Sequence, residues 1–230
     1  MLEKNNFTQR TGRPSALVGR VSLSMDNLKV CILDYGSGNV RSVFNVFSIL
    51  TEAVFISNKP EDVISATHLV LPGVGAFGAS MKKIQERIPL TVLENEALVK
   101  NKPFLGICVG MQILADTGLE FGEHQGLGWI PGTVEKIDSR GLPLPHVGWN
   151  NIEIKKETPL LADLGNSPDF YFVHSYAFKE KDTSHVAAKT EYGSEFTAVI
   201  SKGNIFGVQF HPEKSQKAGK ILLKNFLNLR

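Results

Sequence analysis

The sequence has few features that would link it to a membrane, to nucleic acid or to an oxidising compartment. It has 2 cysteines, Cys31 and Cys108, and neither lies near a second thiol. A disulfide framework and a cysteine-based zinc site are therefore not indicated, and a reducing cytoplasm fits best. The formal net charge of +2 is too small to suggest a surface for nucleic acid. No uninterrupted apolar run reaches the roughly 18 residues that a membrane-spanning helix needs.

The composition favours one globular domain behind an N-terminal extension. With 42% hydrophobic and 21% charged residues, the chain can bury a substantial core. Residues 1–27 show neither an alternating nor a helical apolar pattern, and they contain no continuous apolar segment of the kind a secretory signal needs. We therefore predict a flexible extension over residues 1–27 and a folded domain over residues 28–230.

The folded part begins with alternating strands and helices. "LKVCILDY" is a short apolar run followed by a glycine turn and by "NVRSVFNVFSIL", whose apolar residues repeat at helical spacing. "AVFIS", "HLVLPG" and "PFLGI" predict further buried strands, with helices over residues 77–87 and 90–99. After Gly122 we predict short strands, mostly antiparallel or at the edge, and a last helix over residues 216–227. The predicted fold is α/β, with a doubly wound, mostly parallel sheet, helices on both faces and added antiparallel strands.

Cys108 stands between two glycines at the end of a predicted strand, in "FLGICVGMQ". Gly106 and Gly110 match the spacing of a nucleophile elbow, in which small neighbours allow a strand and the following helix to pack closely. The predicted helix that begins at Val109 would favour a thiolate through its positive end. Cys108 is therefore a candidate nucleophile, whereas Cys31, in mid-strand, is interpreted as a core residue.

The segment "GVQFHPEKS" supplies a candidate base and a candidate orienting acid. His211 follows an apolar strand and Pro212 is expected to fix an extended bend, so that Glu213 points the same way as His211. A carboxylate can hold one ring nitrogen while the other faces Cys108. A His-Pro-Glu sequence by itself is equally typical of a surface turn.

Together, "LGICVGMQ" and "GVQFHPEKS" resemble the class I glutamine amidotransferases, which use a Cys, His, Glu triad on a doubly wound sheet. Three further stretches, "LDYGSGNVRSV", "LPGVGAF" and "GLPLPHVGWN" with "YFVHSY", resemble the glutaminase subunits of imidazole glycerol phosphate synthases. The resemblance covers about residues 28–230. It implies that Cys108 attacks the amide of L-glutamine while His211, oriented by Glu213, transfers protons. We expect no metal ion and no cofactor.

The resemblance also implies which residues contact glutamine. An oxyanion needs aligned N–H donors, and Val109 is the first candidate. The second donor would come from the segment Gly73, Val74 and Gly75, whose glycines would let a peptide plane turn over. The remaining residues match positions that hold the amino and carboxyl end of glutamine, and they are Gln112, Glu120, Ser175 and Tyr176.

A partner is implied because released ammonia must not reach water. In the resembling family the partner is a (β/α)8-barrel cyclase that makes imidazole glycerol phosphate and an aminoimidazole carboxamide ribotide from a ribulose-phosphate substrate. The predicted docking residues are Trp149, Asn150, Tyr171 and Lys214, although Trp149 could also be a core residue. Two alternatives stay open: a component of a paralogous synthase, for instance in sugar amination, and a free-standing cysteine hydrolase of γ-glutamyl bonds.

Overall fold

A computed structural model describes residues 28–230, and the predicted extension over residues 1–27 lies outside this range. None of the helices that it describes combines the length and the apolar character needed to cross a bilayer. The strands are β1 Val30–Leu33, β2 Val54–Ser57, β3 His68–Gly73, β4 Phe104–Cys108, β5 Thr117–Gly118, β6 His124–Gln125, β7 Gly132–Lys136, β8 His146–Asn151, β9 Glu153–Ile154, β10 Asp169–His174, β11 Tyr176–Glu180, β12 Val186–Tyr192, β13 Ser194–Lys202 and β14 Ile205–Val208. The α-helices are α1 Val40–Leu50, α2 Pro60–Ser65, α3 Phe77–Arg87, α4 Leu90–Glu94, α5 Val109–Gln112 and α6 Gln216–Leu227.

The main sheet confirms the predicted fold class. Its strands follow the order β2-β1-β3-β4-β14-β13-β11-β7-β5-β6, and β2, β1, β3, β4 and β14 pair in parallel. The strands β13, β11 and β7 extend this sheet in antiparallel pairs, and β12 and β9 continue from β13. A separate antiparallel pair is formed by β8 and β10. Helices α1 and α6 contact each other, as do α2 and α4, which agrees with right-handed crossovers that cover both faces.

Three local expectations need correction. The last strand, β14, was expected among the edge additions, but it lies beside β4 in the centre of the parallel sheet. Strand β2 is only half-buried because it forms the edge of the sheet. The helix expected over residues 90–99 is α-helical only to Glu94 and continues as a π-helical turn over Asn95–Val99.

The register of the central strands brings their carboxyl ends to one edge of the sheet. Gly73 of β3 pairs with Cys108 of β4, and Ile107 pairs with Val208 of β14. In an open α/β sheet, ligands bind beyond this edge. The segments that follow β3, β4 and β14 are therefore the ones in which chemistry is expected.

His68, at the start of β3, gives the stability of the folded protein a testable dependence on pH. It is buried with its ring edge-on to Phe226, and burial lowers its pKa from 6.5 to about 4. The folded protein therefore holds His68 neutral, and the unfolded chain binds the proton first as the pH falls. The stability that this provides is present above pH 6.5 and is lost as the pH falls towards about 4.

We expect His68→Asn to reduce the loss of unfolding free energy between pH 6.5 and 4 by about 3 kcal/mol, because asparagine does not titrate. Urea unfolding at the two pH values measures this difference. The matched control is His124→Asn, since His124 on β6 is only half-buried. An unchanged acid dependence in His68→Asn would contradict the assignment of a neutral buried ring.

Candidate active site

Cys108 ends β4 in a strained backbone conformation, with φ 55° and ψ −112°. A positive φ is uncommon for a residue with a side chain, and it occurs where a nucleophile is presented at a sharp strand-to-helix turn. The two flanking glycines are required sterically, because a Cβ on Gly106 would collide with the carbonyl of Gly110 and one on Gly110 with the carbonyl of Leu71. Helix α5 begins at Val109 as predicted but ends at Gln112, so its dipole is small. The elbow geometry, more than the helix dipole, therefore marks Cys108 as the candidate nucleophile.

His211 and Glu213 form the ion pair that the sequence suggested. Nδ1 of His211 lies 2.8 Å from Oε1 of Glu213, and both side chains are buried. Burial alone would lower the pKa of His211, but the nearby sulfur of Cys108 and the carboxylate of Glu213 raise it to about 10. Nε2 of His211, on the other side of the ring, has no partner within residues 28–230. The arrangement can keep the His211 ring protonated, with a proton available for a leaving group.

The backbone around Pro212 differs from the expectation. Pro212–Lys214 forms a 3-10 turn rather than an extended bend. The ring of Pro212 fits the first position of this turn, since its missing N–H would have had no partner there. The carboxylate of Glu213 reaches His211 from within the turn, so the predicted contact is present although the predicted geometry was wrong.

Gln112 and Tyr176 meet close to Cys108. The Gln112 side chain, only 3% exposed, donates from Nε2 to the carbonyl of Tyr176 at 2.8 Å and to Oε1 of Gln209 at 3.1 Å. Ser175 is the half-buried residue between β10 and β11, directly before Tyr176. In the part of the chain that the structure describes, its hydroxyl forms no hydrogen bond with the amides of Gln112 and Gln209.

Glu120 lies further along the chain, where its Oε2 accepts a hydrogen bond from the backbone N–H of Phe77 at 2.9 Å. The carboxylate thus ties its loop to the start of α3, the helix that follows the Gly73–Val74–Gly75 segment. Val74 in that segment is 39% exposed, and its carbonyl accepts a hydrogen bond from Ser37 Oγ at 3.1 Å. Gly75 has φ +94° with open space around it, which allows the segment a second backbone state.

Three of the four predicted docking residues form one surface cluster. Trp149 and Tyr171 are paired across β8 and β10 with ring centroids 6.1 Å apart, and Nζ of Lys214 lies 5.6 Å from the Tyr171 ring. Trp149 is 49% exposed, so the alternative interpretation of Trp149 as a core residue is wrong. Asn150 points to the opposite side of β8 and donates to the carbonyl of Glu191 at 2.8 Å.

The sequence reasoning missed Gln209 and the pair His146 and His174. Gln209 is fully buried, and its Nε2 lies 3.8 Å from the sulfur of Cys108. Nδ1 of His146 lies 3.3 Å from Nε2 of His174, and burial lowers the pKa of His146 to about 4 and that of His174 to about 3. Both rings are therefore neutral near pH 7. No local sequence signal marks Gln209, because its place beside Cys108 depends on the register of β14 and β4.

A glycine-flanked cysteine elbow, a buried His–Glu pair and a doubly wound sheet together define a class of enzyme. The chain belongs to the class-I glutamine amidotransferases, whose family model matches residues 31–229. It is therefore a glutamine amidotransferase, as the sequence resemblance implied.

Curated relatives place the chain, within that class, with the HisH subunits of imidazole glycerol phosphate synthase. It is 45% identical over 201 residues to HisH 1 from Campylobacter jejuni strain RM1221, and the match covers 87% of this chain and 100% of the relative. It is 47% identical over 204 residues to HisH from Salinibacter ruber, with 86% of this chain and 93% of the relative covered.

Solved structures agree on the fold. PurLQS from Thermotoga maritima matches with a TM-score of 0.66 at 20% identity, covering 88% of this chain and 98% of that one. A glutamine amidotransferase from Thermotoga maritima matches with a TM-score of 0.62 at 16% identity, covering 88% of this chain and 97% of that one. At this level of identity the similarity concerns the fold alone.

Proposed function

We propose that this chain is a glutaminase subunit that hydrolyses L-glutamine to glutamate and ammonia and passes the ammonia to a (β/α)8-barrel cyclase. The cyclase would make imidazole glycerol phosphate and aminoimidazole carboxamide ribotide in histidine biosynthesis, in the cytoplasm. Identity of 43–47% to HisH subunits over nearly their whole length is the observation that carries this proposal.

In the proposed reaction the Cys108 thiolate attacks the side-chain amide carbon of glutamine. Backbone N–H groups of Val109 and of the Gly73–Val74–Gly75 segment hold the oxyanion of the tetrahedral intermediate. His211, kept protonated by its neighbours, gives its proton to the departing ammonia. The neutral imidazole then takes a proton from the water that attacks the glutamyl thioester, and glutamate leaves. Gln112, Glu120, Ser175 and Tyr176 are proposed to hold the amino and carboxyl end of glutamine.

A docking partner is supported by the surface cluster of Trp149, Tyr171 and Lys214. Exposed aromatic side chains beside a cation are typical anchors of protein interfaces. This cluster is connected directly to the candidate triad, because the N–H of His211 donates to the carbonyl of Tyr171 at 2.8 Å. Ser215 completes the link: the N–H of Tyr171 donates to its hydroxyl, which in turn donates to the carbonyl of His211 at 2.6 Å. A partner bound here would sit next to the point at which ammonia is released.

We expect Trp149→Ala and Lys214→Ala to weaken binding of the cyclase by about tenfold or more, because buried aromatic and cationic anchors contribute most of the affinity of an interface. Titration calorimetry with the purified cyclase measures the affinity, and coupled synthesis from glutamine measures ammonia transfer. Val99→Ala is the matched control, since Val99 is an exposed apolar side chain on the π-helical turn.

Unchanged binding in both docking variants would contradict the proposed interface. Binding to a different barrel synthase, with none to the histidine-pathway cyclase, would favour the paralogous synthase. Full glutaminase activity without any partner would favour the free-standing hydrolase.

A further inference from the structure

Gln209 is a fully buried amide beyond the carboxyl end of a central strand, with 0% of its surface exposed. It directly follows β14, whose last residue, Val208, pairs with Ile107 of β4. The next residues along these parallel strands are Gln209 and Cys108, so the register brings them side by side. An amide buried at this depth is costly unless its hydrogen bonds are made, and an apolar side chain could fill the same volume.

The orientation of the Gln209 amide is fixed by a chain of hydrogen bonds that starts at a backbone carbonyl. The carbonyl of Tyr176 can only accept, so Gln112 must present its NH2 group there, at 2.8 Å. The same NH2 group donates to Oε1 of Gln209 at 3.1 Å. The NH2 group of Gln209 is thereby left to face Sγ of Cys108, at 3.8 Å. The group that faces the sulfur is therefore an N–H donor. The hydrogen bonds of this chain do not allow the nitrogen and oxygen of the Gln209 amide to be exchanged.

We propose that Gln209 is a further catalytic residue, which donates a hydrogen bond to Sγ of Cys108 and stabilises the negative charge that returns to the sulfur when the glutamyl thioester is hydrolysed. This inference rests on the proposed role of Cys108 as nucleophile. In the hydrolysis step a bond forms between the water oxygen and the acyl carbon, and the water proton goes to His211. The carbon–sulfur bond breaks, and its electron pair stays on Sγ.

The donor acts differently on the two halves of the reaction. During attack on glutamine the sulfur loses negative charge, so a hydrogen bond to the thiolate does not accelerate that step. During thioester hydrolysis the sulfur gains charge, and a donor already in place stabilises the transition state. Loss of the donor should therefore slow hydrolysis more than acylation, and the glutamyl enzyme should accumulate.

The test uses Gln209→Met, which keeps the approximate volume without a donor, and Gln209→Glu, which keeps the shape but brings a carboxylate to the sulfur. Each full-length variant is assayed with L-glutamine, alone and with the cyclase, and the reaction is quenched in acid for intact-mass measurement. We expect kcat to fall by about tenfold to a hundredfold in Gln209→Met and further in Gln209→Glu, and the mass of a bound glutamyl group to appear.

Thr197→Val is the control for a buried polar side chain, because Thr197 lies on β13, 1% exposed, and bonds to Glu180 rather than to the nucleophile. It should leave kcat unchanged and should show no glutamyl adduct. A fall in kcat without the adduct in both Gln209 variants, or an unchanged kcat, would overturn the proposal. Turnover that persists in Cys108→Ala would instead remove the proposed nucleophile, which separates the two failures.

Discussion

Replacing Cys108 with alanine is expected to abolish glutamine-dependent synthesis by the complex while leaving synthesis from added ammonium salt unchanged. Without the sulfur no thioester can form, and removal of a nucleophile typically lowers kcat by a factor of about ten thousand or more. The cyclase needs only ammonia, so the second half of the reaction should continue. Glutamate release and product formation, measured in the same samples, distinguish the two activities.

Cys31 provides a matched control with the same side chain. It lies in mid-strand on β1 with no exposed surface, and burial, with a smaller contribution from Asp62, raises its pKa to about 12. A thiol held neutral in this way is inert, so Cys31→Ala should retain glutamine turnover. If Cys108→Ala kept glutamine turnover, or if Cys31→Ala lost it in a folded protein, the candidate triad would be wrong.

The isolated chain is expected to bind glutamine but to turn it over slowly, and the cyclase with its ribulose-phosphate ligand should raise the rate by at least about a hundredfold. The physical basis is the Gly73–Val74–Gly75 segment, next to Cys108 in the sheet register. Ser37 holds the Val74 carbonyl in the present state. Each tenfold activation requires about 1.4 kcal/mol of differential stabilisation, which one new donor at the oxyanion can supply. A ligand bound to the partner can move the Gly73–Val74–Gly75 segment to a second backbone state only if it favours that state over the present one.

Gly75→Pro should remove most of that activation. Proline holds φ near −65°, whereas Gly75 has φ +94°, and proline has no N–H to donate. Glutamate release is measured for the chain alone, with the cyclase, and with the cyclase and its ligand. The control is Gly165→Pro, because Gly165 has φ +78° and equally open surroundings. Full activity of the isolated wild-type chain would rule out activation by the partner.

The elements that the sequence predicted best are those whose pattern is local. Helices over residues 77–87 and 216–227 have the predicted bounds, because their apolar residues repeat at the helical period. The position of β14 could not be predicted from the same information. An apolar run of this length fits an edge strand or a central one, and only pairing with both β4 and β13 decides between them.

The candidate site divides in the same way. Two parts of the site are short contiguous motifs, and neighbouring residues are enough to predict their chemistry. They are Cys108 between its glycines and His211 two residues before Glu213. Gln209 was missed, since its role depends on the alignment of two strands that are distant in sequence. The exposure of Trp149 likewise depends on which face of β8 the core covers.

The sequence by itself determined the α/β class, the elbow that presents Cys108 and the resemblance to the class-I glutamine amidotransferases. These features follow from periodicity, glycine sterics and short motifs, which act over a few neighbouring residues. The tertiary structure decided the donor to the sulfur, the neutral His146 and His174 pair and the link from Tyr171 to His211. Hydrogen bonds and burial depend on distances of a few ångströms between segments far apart in the chain, and only strand register and packing set those distances.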